Sequence, residues 1–139
     1  MVYHRMVRSL ALAVALAAAC ASGCASAPAP RPATHPSTPE AAAAEALGRF
    51  AAAAEEGRWD EAWALLSARW RARTTPAGLA RDWKGSGPIG PDAAARVLAL
   101  LRSGAPLALS GREATLPVGT GRRARLVVEE GAWRVEALE

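Results

Sequence analysis

Between Pro39 and Leu138 the apolar positions recur first every three or four residues and then every two, and the change falls near Gly104. Ser37-Thr38-Pro39-Glu40 opens the helical part with a hydroxyl N-cap, a proline in the first turn and a glutamate three residues after Ser37. Leu47, Phe50, Ala51 and Ala54 then share one face, Glu45 and Arg49 are spaced to pair at i,i+4, and Gly57 closes the helix. A second helix is predicted from about Asp60, with Trp59, Trp63, Leu66 and Trp70 stacking into one apolar stripe. Thr75-Pro76 caps a short third helix in which Leu79 and Trp83 share a face. The glycines of residues 84–90 mark a loop, and Pro91-Asp92 begins a fourth helix that turns Ala94, Val97, Leu98 and Leu101 inward.

Beyond Gly104 the pattern is that of strands. Ala114, Leu116 and Val118 share a face, as do Ala124, Leu126 and Val128, and then Trp133, Val135 and Ala137. Turns are expected at Gly119-Thr120-Gly121 and Glu130-Gly131. Leu107 and Leu109 are out of phase with Leu116, which predicts a bulge or bend at Ser110-Gly111. The expected class is α+β, with N-terminal helices covering one face of a C-terminal antiparallel sheet of three to four strands.

The first 39 residues carry a different pattern. Arg5 and Arg8 precede an apolar run of about eleven residues, too short for a membrane-spanning helix, which needs roughly 20. Ala21-Ser22-Gly23 lead directly into Cys24, and this stretch resembles the lipobox of bacterial lipoproteins. The resemblance implies a signal peptide over 1–23, acylation of Cys24 by diacylglycerol and a further fatty acid such as palmitate, and a place in the cell envelope. Two or more acyl chains hold a protein in a bilayer stably. With Ala25 following, the sorting rule of enterobacterial lipoproteins implies the periplasmic face of the outer membrane. Residues 25–39 hold five prolines and nothing apolar larger than alanine, so 24–39 are expected to form a lipidated tether reaching roughly 45 Å. Residues 40–139 are then one compact domain.

Removing the leader takes two of the seventeen basic residues and none of the thirteen acidic ones, leaving a net charge of +2. That balance, together with export, argues against a nucleic-acid partner.

The order of elements resembles the nuclear transport factor 2-like superfamily, the cone-shaped α+β fold shared with SnoaL-like and ketosteroid isomerase-like domains. Residues 50–83 are similar to its opening helices and residues 126–138 to its closing hairpin. The helix expected at 91–102 and the small strand count depart from the family pattern. Fold alone does not choose between the isomerases, dehydratases and binding modules of such a family.

The residue inventory narrows the choice. Residues 40–139 contain no histidine, cysteine, tyrosine, asparagine or glutamine. Nucleophile-histidine chemistry and imidazole or thiolate metal sites are thereby excluded, and no cofactor or metal is expected. Catalysis would have to rest on a carboxylate with a raised pKa, drawn from Asp60, Glu61, Asp82, Asp92 or Glu113. Asp60, Glu61 and Asp92 read more plainly as first-turn acids favoured by the helix dipole, a structural role is the favoured reading for each of the five, and Glu129 and Glu130 are expected to be solvated in a turn. Trp59, Trp63, Trp70, Trp83 and Trp133 are either the bulky core of an alanine-rich domain or the lining of a pocket for an apolar ligand. Arg69, Arg71 and Arg73, with Arg122, Arg123 and Arg125, form the two densest basic stretches, read as a solvated surface or as a patch for lipid phosphates or an acidic envelope protein. The expectation is a membrane-anchored domain that binds or assembles, with pairing into a homodimer through its sheet as a variant of that role; its rival is a small carboxylate enzyme of the SnoaL-like type.

Overall fold

A computed structural model describes residues 38–119 and 121–138. Five helices come first: α1 (Pro39–Glu55), α2 (Trp59–Ala64), α3 (Ala68–Arg71), α4 (Pro76–Gly85) and α5 (Ile89–Arg102). Four strands follow, β1 (Ala108–Ser110), β2 (Glu113–Gly119), β3 (Arg122–Glu129) and β4 (Ala132–Leu138). They form one antiparallel meander in the order β1-β2-β3-β4, and the domain is α+β.

Local chemistry sets most helix starts. The Thr38 hydroxyl accepts from the Ala41 N–H at 3.1 Å, with Pro39 in the first turn, and Thr75 repeats the device for α4 by accepting from the Gly78 N–H at 3.1 Å. α1 lies across α5, and both press onto the inner face of the sheet. The core joins Leu47 and Phe50 of α1, Ala94 and Val97 of α5, Leu116 of β2, Leu126 of β3 and Val135 of β4. Ala43, Ala51, Ala53, Ala62, Ala94, Ala114 and Ala124 are fully buried, so much of the core is built from backbone brought close by small side chains.

The structure corrects several expectations. The tryptophan stripe is broken: α2 stops at Ala64, and Ser67 caps a separate short helix, accepting from the Trp70 N–H at 3.4 Å. Between the two, the backbone runs alongside β4. The Ser67 N–H donates to the Val135 carbonyl and the Val135 N–H to that of Leu65, both at 2.9 Å, and Leu66 bridges Val135 in parallel. Helix α5 begins at Ile89, inside the stretch expected as loop, because Pro88 supplies a helix-compatible φ of −72°. Ser110-Gly111 is part of a reversal: Ser110 pairs with Glu113, and β1 and β2 form a hairpin. Arg49 turns to Glu61 of α2 at 3.8 Å instead of pairing with Glu45, because Glu61, already bonded to Arg58, presents a fixed carboxylate.

Strand β4 also departs from simple alternation. Leu126 pairs with Val135 and Arg125 with Ala137, so Glu136 is an extra residue in the ladder. Ala137 thus leaves the face shared by Trp133 and Val135, and Leu138 takes its place opposite Ala124. A second irregularity lies between Pro117 and Gly119 of β2, where Gly119 adopts a φ of 138° that side chains rarely tolerate.

Candidate functional site

The bulge in β4 creates the most perturbed group of the domain. Glu136 is 8% exposed, yet its carboxylate is well partnered: Arg69 Nη1 donates to it at 2.9 Å and Arg125 Nη2 lies 3.9 Å away. Burial by itself raises the Glu136 pKa. The Ser67 hydroxyl, the Arg69 hydrogen bond and the charges of Arg69 and Arg125 outweigh that and hold it below the ordinary glutamate value. Around it, Trp70 Nε1 donates to the Glu136 carbonyl. The Glu129 carboxylate accepts from the Ala68 N–H at 2.8 and 3.1 Å and stands 3.8 Å from Arg71. Glu129 is therefore a fastening, in place of the solvated turn residue expected, because the first N–H of α3 needs an acceptor. Glu136 and Glu129 together stitch α3 onto β3 and β4. A carboxylate held ionised by two guanidinium groups is a weak proton acceptor, so this cluster fastens and is not poised for acid-base chemistry.

Sequence reasoning missed Glu136, which reads as the outward member of an alternating strand. The available signal is Ala137-Leu138, two apolar residues in a row where strict alternation allows one.

A second feature is open to ligand. The end of α4, the start of α5 and the far ends of β3 and β4 enclose a hollow of about 330 Å³. Leu79, Trp83, Ile89, Ala93 and Leu138 line it, with Asp82 and Arg122 also on its wall. A neighbouring hollow of about 340 Å³ shares Ile89, Ala93 and Arg122 and adds Arg96. Ile89 is 54% exposed, high for a side chain of its size and hydrophobicity. Gly90 gives the cleft room: a Cβ there would come within 3.2 Å of the Trp83 ring and 2.6 Å of the Ser86 hydroxyl, so a larger residue would require the indole and the hydroxyl to shift.

The five tryptophans are not gathered around one cavity. Trp83 lines the cleft, and Trp59 packs beside it with ring centroids 6.0 Å apart and planes tilted by 60°. Trp63 packs on the core and donates from Nε1 to the Thr74 carbonyl at 2.8 Å. Trp133 packs on the core from β4 and lines a separate hollow beside α1, and Trp70, 39% exposed, lies over β4. The arginines are also dispersed. Arg69 and Arg125 meet at Glu136, Arg71 turns to Glu129, Arg122 borders the cleft, and Arg73 and Arg123 are exposed. Asp60, Asp82, Asp92 and Glu113 are exposed, and Glu61 is engaged by Arg49 and Arg58. Among the described residues, no three metal-ligating side chains converge, and no helix is long and apolar enough to cross a membrane. Cys24, the predicted lipidation site, lies outside the described residues.

No protein-family model, curated protein or solved structure matches the chain.

Proposed function

We propose that the chain is an envelope lipoprotein, anchored through Cys24, whose α+β domain binds a small apolar or aromatic molecule in the cleft between α4 and α5 without transforming it. The observation that carries this reading is the Trp83-Ile89 cleft, an accessible apolar hollow with an aromatic wall, of a size suited to a small ligand. The non-catalytic part is supported by the carboxylates: Glu136 is engaged by arginines, and Asp82, the acid at the cleft, is exposed. The resemblance to nuclear transport factor 2-like domains belongs to the same proposal, with the helices-first, sheet-last order as its support.

The neutral aromatic probe N-phenyl-1-naphthylamine tests the cleft. Saturable binding read through tryptophan quenching, removed by Ala93→Trp, is the expected result. A linear, non-saturating response, or binding untouched by that substitution, refutes the cleft reading. The anchor is tested separately by fractionating cells: Cys24→Ala moves the protein from the membrane to the soluble fraction, and a variant that stays with the membrane rules the anchor out.

A further inference from the structure

A different face of α4 borders another hollow, of about 460 Å³, walled by three arginines from three parts of the chain. Arg71 comes from the end of α3, Arg73 from the link that follows and Arg81 from the middle of α4, with Thr74 and Thr75 between them. Asp82 is the one acidic residue on its wall. Arg71 is positioned by Glu129 at 3.8 Å, whereas Arg73 and Arg81 have no carboxylate at ion-pairing distance among the described residues. With Glu129 against Arg71 and Asp82 on the wall, three guanidinium groups still outnumber the two carboxylates, and a concave wall concentrates the resulting positive potential. Guanidinium forks match the oxygens of a tetrahedral oxyanion in pairs. The end of α4 adds little, since the Gly78 N–H is already taken by the Thr75 hydroxyl. The arginines alone supply the attraction.

We propose that this hollow binds a phosphate or phosphate-monoester dianion, with Arg71 as the fixed contact and Arg73 and Arg81 closing on the ligand. The proposal is independent of the apolar cleft, whose lining shares only Asp82 with it.

The test uses the full chain in a maltoside detergent, titrated with inorganic phosphate and, separately, with dihexanoyl phosphatidate, while the amide resonances of Thr75 and Gly78 are followed. Saturable shifts are expected. Arg73→Gln with Arg81→Gln should weaken binding by about tenfold or more, since a charge-assisted contact contributes on the order of one decade. Each single substitution should give part of that loss, which keeps the test decisive if the pair disturbs the fold. Equal affinity for the two ligands identifies the phosphate group alone as what is recognised, and tighter phosphatidate binding identifies a lipid headgroup. The proposal is overturned by the absence of saturable shifts with both ligands, by unchanged binding in the arginine variants, or by an equal loss in Arg122→Gln, which would reduce the effect to net charge.

Discussion

Glu136 sets two opposing effects against each other at a single residue. Burial disfavours its charge, and the Ser67 hydroxyl with two arginines favours it more strongly. A depressed folded-state pKa means that the folded state binds this proton less readily than the unfolded chain does. Its stabilising effect is therefore present above the unfolded-state value of about 4.3 and is lost as pH falls through the lower folded value. Urea unfolding at a series of pH values should show the wild-type losing stability on acidification, with a flatter acid limb in Glu136→Gln. At neutral pH the same substitution should cost about 1–2 kcal/mol, at the low end for a broken pair because Arg69, largely exposed, can turn to water. Equal acid limbs in the two proteins would count against the assignment. The Ala137-Leu138 pair signals the bulge but not the ion pair, since the charged partner Arg69 is sixty-seven residues away.

What the elements owe to local chemistry was readable, and what they owe to distant partners was not. Thr38-Pro39 and Thr75-Pro76 predict α1 and α4 because a cap acts within one turn. The break between α2 and α3 escapes such reasoning: Trp59, Trp63, Leu66 and Trp70 have helical spacing, but residues 65–67 gain backbone bonds to Val135 by leaving the helix. That detour covers one edge of the sheet. The other edge is blunted differently. β1 is only three residues long, Pro117 has no N–H to offer a further strand, and Arg96 donates to the Val118 carbonyl at 3.4 Å. Pro117→Thr should restore a pairing edge and raise the apparent mass in sedimentation velocity at high protein concentration. An unchanged sedimentation coefficient would show that β1 and Arg96 suffice as guards.

At the scale of the whole molecule, the change of apolar period predicted the helices-then-sheet order, because each period is the imprint of one packed face. The two hollows left no such imprint: Ile89 falls in the stretch expected as loop, Leu138 lies off the face predicted for Trp133, Val135 and Ala137, the tryptophans read as either core or pocket lining, and only the packing of α4 on α5 shows which apolar groups stay uncovered. The alanine-lined core brings α1 close to α5 and the sheet, so added volume should be poorly tolerated there. Ala51→Leu should cost about 1–3 kcal/mol by overpacking, and Leu126→Ala about 2–5 kcal/mol by leaving a cavity, both measured by chemical denaturation. A neutral Ala51→Leu would mean that α1 can shift outward.

Strand β4 both completes the sheet and supplies the Glu136 carboxylate and the carbonyls that help hold α3. The ribosome makes it after everything it fastens, so α3 lacks its β4 partners until the closing strand emerges. A polypeptide arranged in this order gains the fastenings of α3 to β4 only when its final hairpin is made.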